Sequence, residues 1–166
     1  QHARHVLDTA RWWMKLHVPR LLNRGFDFKG ARVLEIGGSV VPAVCLLYAA
    51  LGARVCTVDK FRTPDSHDIV PPSGQMICHE YIFSELRKGS ALPAEWLNGA
   101  PPMILDEFIA FDGRRVQFDP ERLDYRGGVD AAQIPYPDAS FDLVASAATM
   151  EHVGDPDGGP ADTVRE

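Results

Sequence analysis

The stretch "RVLEIGGSVVPAV", residues 32 to 44, decides how this chain folds. Its opening is apolar apart from Arg32 and Glu35, the pattern of a short strand buried in a parallel sheet. Gly37 and Gly38 follow. An apolar run then predicts a helix from about Val41 to Leu51, with Ser39 as N-cap and Gly52 as the C′ stop. "ARVCTVD", residues 53 to 59, reads as a second buried strand ending in an acid. Strand, helix and strand in such a short span predict two parallel strands joined by a right-handed crossover. The glycine turn and the acid then share the carboxyl ends of the strands, where open α/β sheets bind ligands.

The glycine pattern narrows the ligand. A dinucleotide turn of the form G-x-G-x-x-G needs glycine at positions held here by Gly37, Ser39 and Pro42. Ser39 adds a side chain where the backbone must approach a ligand, and Pro42 removes an N–H that a pyrophosphate would use. A cofactor without phosphates loses less. Asp59 follows Gly37 by about 20 residues, the spacing at which an acid reaches a ribose diol.

Composition sets the wider bounds. The 166 residues suit one domain, and 45% hydrophobic with 24% charged residues is ordinary for a globular protein. Seventeen basic against twenty-three acidic residues give a net charge of −6, with no basic tract, so no nucleic-acid partner is expected. Cys45, Cys56 and Cys78 form no C-x-x-C pair and suit a reducing compartment. No apolar run reaches membrane-spanning length and no signal-peptide pattern opens the chain, so a cytoplasmic location is expected. Both ends read as cut: the chain starts at Gln1, and "ADTVRE" resembles the opening of a helix.

Along a single domain, residues 1–29 read as N-terminal helices broken at Pro19 and ended by Gly25, and 30–60 as the strand–helix–strand unit. Residues 61–121 hold a proline-rich loop (61–74), a helix ("QMICHEYIFSELRKG"), a further turn at "AEWLNG" and a β-hairpin at "FIAFDGRRVQF" (108–118), signalled by Asp112-Gly113. The hairpin is open to three uses: lid, oligomer contact or insertion. Residues 122–166 supply a third strand ("RLDYRG"), a fourth ("SFDLVASAA") and the start of another helix. Trp12 and Trp13 read as packing residues. Cys78, His79 and Glu80 diverge around one helix, so no metal site is expected.

The most specific signal is "VDAAQIPYPDASFDLVASAATMEHV", residues 129 to 153. Asp130-Ala131, Ile134-Pro135-Tyr136, Asp138-Ala139-Ser140-Phe141-Asp142-Leu143-Val144 and Glu151-His152-Val153 resemble, in order and spacing, the class I S-adenosylmethionine-dependent methyltransferases, particularly the quinone-biosynthesis-like branch. "VLEIGG" and Asp59 fall in the same order. The resemblance covers roughly residues 30 to 60 and 122 to 166; 61 to 121 lie outside it.

The resemblance implies a Rossmann-like, doubly wound, mostly parallel α/β sheet of order 3-2-1-4-5-7-6, of which this chain supplies strands one to four and lacks the later ones. It implies that Glu35, Gly37, Gly38 and Ser39 pass under the methionine and ribose of S-adenosylmethionine and that Asp59 holds the ribose hydroxyls, with Lys60 and Phe61 beside the adenine. Asp130 and Ala131 would meet the adenine edge, and Ser146 and Ala147 would face the cofactor. His152 is the one catalytic candidate, as a base or substrate-orienting group, set against a capping or packing role at a helix start. The family's usual Gly-x-Gly-x-Gly turn is Gly37, Ser39 and Val41 here, an altered turn suited to a phosphate-free cofactor. Methylases of nucleic-acid bases carry an Asn/Asp-Pro-Pro-aromatic run where this chain has "SAATMEH", so the expected acceptor is a small molecule methylated on oxygen, carbon or nitrogen. An unpaired edge is expected at strand four, and no turnover by this chain alone. The alternatives are a nicotinamide-dependent Rossmann oxidoreductase and a non-catalytic binding protein with a degenerate loop.

Overall fold

A computed structural model describes residues 2–38, 41–60, 68–69, 73–97, 105–112 and 114–147, with the backbone alone at 68–69, 73–75 and 105. Helix α1 (His2–Lys15) buries Ala3, Leu7, Ala10 and Met14, a three-and-four spacing that lays one apolar stripe inward. Proline lies in the first turn of α2 (Val18–Asn23), where a missing N–H costs nothing, so Pro19 breaks the run as expected. Trp13 packs half-buried against the core, whereas Trp12 is 62% exposed, which corrects the expectation that both are packing residues.

Strands β1 (Arg32–Ile36) and β2 (Arg54–Asp59) flank helix α3 (Ala43–Ala50), whose eight residues are all buried. The helix begins later than its apolar pattern suggests. Pro42, at φ −77° and ψ 58°, occupies the cap position with no side-chain cap bond; Ser39, the expected cap, lies outside the described residues. Proline disfavours helical geometry in the residue before it, which excludes Val41 from the first turn. Gly52, at φ +97°, ends the helix as expected.

Beyond β2 come β3 (Asp68–Ile69), α4 (Ser73–Arg87), a 3-10 turn at Ala94–Trp96, β4 (Ile109–Phe111), β5 (Val116–Phe118), β6 (Leu123–Gly127) and β7 (Leu143–Ala145). Four strands form one parallel sheet in the order β6-β2-β1-β7. The third strand thus lies outside the second and the fourth outside the first, as expected of a Rossmann-like α/β fold. The hairpin also forms: β4 and β5 pair antiparallel, and Asp112 Oδ1 accepts the N–H groups of Arg114 (2.8 Å) and Arg115 (2.7 Å) at its tip. β3 adds a third strand to it, inside a stretch expected to be loop throughout.

Strand alternation gives the parallel sheet two different faces. Val33 and Val55 join α1, α3 and α4 in the main core, with Tyr48, Phe83 and Leu46 among its fully buried side chains. Leu34, Ile36, Cys56 and Val58 face the other way, where Val129, Ala131, Ile134, Tyr136 and Phe141 cover them. That cover is a strap of irregular chain between β6 and β7. β7 pairs with β1 on one side, and among the described residues no strand pairs on its other side; Val144 there is 58% exposed.

His17, at the corner between α1 and α2, binds the Tyr48 hydroxyl at 2.5 Å through Nε2 and meets the Trp13 ring edge-on. Burial lowers its pKa, opposed by a bond to the Trp13 backbone. A depressed folded pKa means that the unfolded chain binds more protons below about pH 6.5, so this contribution to stability is full above that pH and lost as the pH falls towards the lowered value. The expected result is a melting temperature that drops on acidification from pH 7 to pH 5, with a smaller drop in His17→Gln. Equal slopes for the two proteins would show that His17 does not titrate in this way.

Candidate functional site

The β1–β2 register sets Glu35 opposite Thr57, both on the α3 face. Glu35 Oε2 accepts the Thr57 hydroxyl at 2.7 Å and the Cys45 thiol at 3.3 Å. Glu35 is buried, and that burial raises its pKa; the two donors pull the value back and the charge of Asp59 adds to the rise. Burial also pushes the Cys45 thiol well up, which keeps it a donor.

The chain leaves β1 through Gly37, whose φ of +87° is a left-handed conformation that favours glycine. Its N–H donates to the Val58 carbonyl at 2.8 Å. Gly38 then lies on the Glu35–Thr57 pair. A Cβ there would stand 2.1 Å from Thr57 Oγ1 and 3.0 Å from Glu35 Oε2. The altered turn has kept glycine at the two places where the backbone needs it.

Asp59 ends β2, and the adjacent β6 ends beside it. The Val129 N–H donates to the Asp59 carbonyl at 3.2 Å, carrying the pairing past the strand ends. Lys60 Nζ lies 3.1 Å from Asp130 Oδ2, and Asp130 Oδ1 accepts the Ala132 N–H at 3.1 Å. The backbone bond first, and Lys60 second, hold the Asp130 carboxyl below its ordinary range. From the end of β7, the Ser146 hydroxyl donates to the Ile36 carbonyl at 3.2 Å.

Gly37, Gly38, Asp59, Lys60, Asp130 and Ser146 therefore gather at the carboxyl edge of the sheet. Glu35 lies beneath them and supports the turn. Ala131 packs half-buried against the second face, and Ala147 against the main core. Ser39, Phe61 and His152 lie outside the described residues. Thr57 and Cys45 escaped the sequence reading. The available signal was a lone threonine in an apolar strand, two places before the acid.

The strap that follows Asp130 is held by several unlike contacts. Asp142 exchanges two bonds with Arg32, its N–H to the Arg32 carbonyl at 2.9 Å and its Oδ2 from the Arg32 N–H at 2.8 Å. This use of Asp142 is why the fourth strand starts at Leu143 and not at Ser140 as expected. The Arg32 guanidinium stands 5.2 Å over the Phe141 ring, and the Ser140 hydroxyl donates to the Pro137 carbonyl at 2.6 Å.

Two surface clefts lie elsewhere, one between Phe83 of α4 and Phe111 of β4, the other beside Arg32 and Arg54 at the opposite edge of the sheet. Neither includes a residue of the gathered set. The strand ends are the stronger candidate because charged groups from separate elements converge there. On α4, Cys78 and His79 are buried while Glu80 is exposed. Among the described residues, no helix is long and apolar enough to cross a membrane.

Residues 104–165 match the family model described as Methyltransferase domain, which supports methyl transfer as the class of activity. The match begins before β4 and so takes in the hairpin, which the sequence resemblance left out; it does not include β1, the glycine turn or β2. The chain matches no curated protein and no solved structure.

Gly38→Ala should cost about 1–3 kcal/mol in urea unfolding, because the new methyl overlaps the Thr57 hydroxyl. Combined with Thr57→Ala it should cost less than the sum of the single changes. Strict additivity would mean that Gly38 does not rest on Thr57.

Proposed function

We propose that this chain binds S-adenosylmethionine at the carboxyl edge of its parallel sheet and serves methyl transfer to a small-molecule acceptor. The observation that carries this reading is the pair of carboxylates beside the glycine turn, Asp59 at the end of β2 and Asp130 in the chain that follows the neighbouring β6, with Lys60, next to Asp59, bonded to Asp130.

The donor and acceptor chemistry of these residues fits the cofactor. Asp59 and Asp130 are acceptors, suited to a ribose diol and an exocyclic amine, which are donors. Lys60 is the one basic side chain in the gathered set, and it is already engaged by Asp130. A pyrophosphate would need a nest of N–H groups or free cations. The match to a methyltransferase family supports the same choice over a nicotinamide cofactor.

When bound, S-adenosylmethionine would supply an electrophilic methyl group, which bonds to the acceptor atom as the methyl–sulfur bond breaks and S-adenosylhomocysteine leaves with the electron pair. The protein's own contribution is orientation. Asp59 would hold the ribose and Asp130 the adenine edge, while Gly37 and Gly38 let the backbone come close to the remainder. An acceptor that arrives ionised needs no base from the protein; for a protonated one, His152 is the candidate. The net charge of −6 and the absence of a basic tract favour a small acceptor over a nucleic acid. The quinone-biosynthesis-like resemblance points the same way.

Calorimetric titration with S-adenosylhomocysteine should give saturable binding, with none for NADH. Asp59→Ala should weaken binding roughly 10–100-fold, since hydrogen bonds to a charged acceptor are lost. Binding of NADH in preference to S-adenosylhomocysteine would overturn the reading.

A further inference from the structure

Tyr136 joins the strap to the second face of the sheet by a set of contacts centred on its hydroxyl. That oxygen lies 2.6 Å from Cys56 Sγ on β2 and donates to Asp124 Oδ2 on β6 at 3.3 Å. Arg126 Nε, two residues along β6, donates to the same Asp124 oxygen at 2.8 Å. Its guanidinium stands 5.2 Å over the Tyr136 ring, and Phe141 meets that ring edge-on at 5.0 Å. Burial raises the Cys56 pKa to about 11, so at neutral pH it is a thiol able to donate to the phenol oxygen.

The chain between this anchor and the candidate site is short and internally bonded. The Tyr136 N–H donates to the Ile134 carbonyl at 2.9 Å. At the other end, the Gln133 N–H donates to the Asp130 carbonyl at 2.9 Å and the Ala132 N–H to Asp130 Oδ1 at 3.1 Å. Ala131 and Ile134, between the two turns, rest on Leu34, Ile36, Cys56 and Val58. A displacement at Tyr136 therefore passes through two closed turns to the Asp130 carboxylate.

We infer that Tyr136 is a positioning residue: its hydroxyl, fixed between Cys56 and Asp124, sets where residues 130–134 present Asp130 to the adenine end of the cofactor. The inference rests on the cofactor reading above and adds the hydroxyl's role to it. A phenylalanine would fill the same space and keep both ring contacts, so the ring alone serves to cover the sheet. The hydroxyl does a separate job. It ties the strap to two strands at once, β2, which ends in Asp59, and β6, which leads into the segment that carries Asp130.

The test uses Tyr136→Phe in the chain as it stands, with two readouts. The first needs no ligand. Amide hydrogen exchange at Ala132 and Gln133 should quicken roughly tenfold in the variant, with protection in β1 and β2 unchanged, since one local tie is lost and the sheet is kept. The second is calorimetry with S-adenosylhomocysteine and with S-inosylhomocysteine, which lacks the adenine amino group. The unaltered chain should prefer the first ligand. The variant should bind it roughly three- to tenfold more weakly and lose part of that preference, a change that mere loss of stability would not produce. Cys56→Ala should act in the same direction and add little to Tyr136→Phe, because both remove the same contact. Unchanged exchange at Ala132 and Gln133 overturns the inference whatever the ligand does. So does quickened exchange with an unchanged preference between the two ligands. Failure of the unaltered chain to bind S-adenosylhomocysteine overturns the cofactor reading beneath it, and that result is in hand before any variant is made.

Discussion

Gly38 lying on the hydrogen bond between Thr57 and Glu35 is the contact on which the upper edge of this sheet depends. A carboxyl group buried as Glu35 is must be bonded by its surroundings or lose several kcal/mol of solvation, on the order of the 1–3 kcal/mol or more that an unmet buried polar group costs. Thr57 and Cys45 supply those bonds. They can do so only because the β1–β2 register puts Glu35 opposite Thr57 on the α3 face. A slip of one residue would send Glu35 into the Leu34 and Ile36 face, among Cys56, Val58 and the apolar strap. The buried acid thus fixes the register, the register fixes the seat, and the seat accepts only a residue without a side chain. The direction in which the chain leaves β1 follows from that sequence of constraints.

The strap shows what a recognisable motif can consist of. The stretch from Ile134 to Asp142 carries the resemblance to a methyltransferase, yet most of its named residues make contacts within the fold. Phe141 lies under Arg32, Asp142 replaces a strand pairing with a reciprocal bond to Arg32, and Ser140 closes the turn at Pro137. The second face of the sheet needs this. No described helix contributes to the cluster of Leu34, Ile36, Cys56 and Val58, so irregular chain must cover it, and irregular chain must find partners for its backbone polar groups. A pattern of side chains that meets both demands at once leaves little freedom, which is why it stands out in the sequence.

Legibility followed the range of the interactions concerned. β1, α3 and β2 could be read because local signals agree: apolar runs of the right length, Gly37 where φ is positive, and Gly52 where the helix stops. The hairpin was legible from Asp112-Gly113 for the same reason. The start of α3 was misread because Ser39 is a good cap in isolation, whereas Pro42 governs the backbone on both sides of itself. β3 was missed because two residues carry no period, and their partner on β5 lies far along the chain. In the candidate site, Asp59 was singled out by its spacing after Gly37 and Asp130 by the resemblance to methyltransferases, and both stand at the carboxyl edge of the sheet. Thr57, Cys45 and the Tyr136 anchor were not, since each acts through a residue distant in sequence, and no local pattern encodes such a pairing.

The two best-defined carboxyl groups at this edge have been driven in opposite directions. Burial raises the pKa of Glu35, while a backbone N–H and Lys60 lower that of Asp130. Glu35 is enclosed and its bonds run inward, to Thr57 and Cys45. Asp130 is open to solvent and remains ionised, with one oxygen on Ala132 and the other beside Lys60. A carboxylate of the first kind supports backbone; one of the second kind can exchange a solvent-exposed partner for a ligand donor at little cost, because an exposed ion pair is worth only about 0–1 kcal/mol. On the cofactor reading proposed above, the lysine would hold the acceptor in place before a ligand arrives and yield it cheaply when one does. That combination suits a neutral, donor-bearing nucleoside far better than a phosphate, and it is a consequence of where β2 and β6 end.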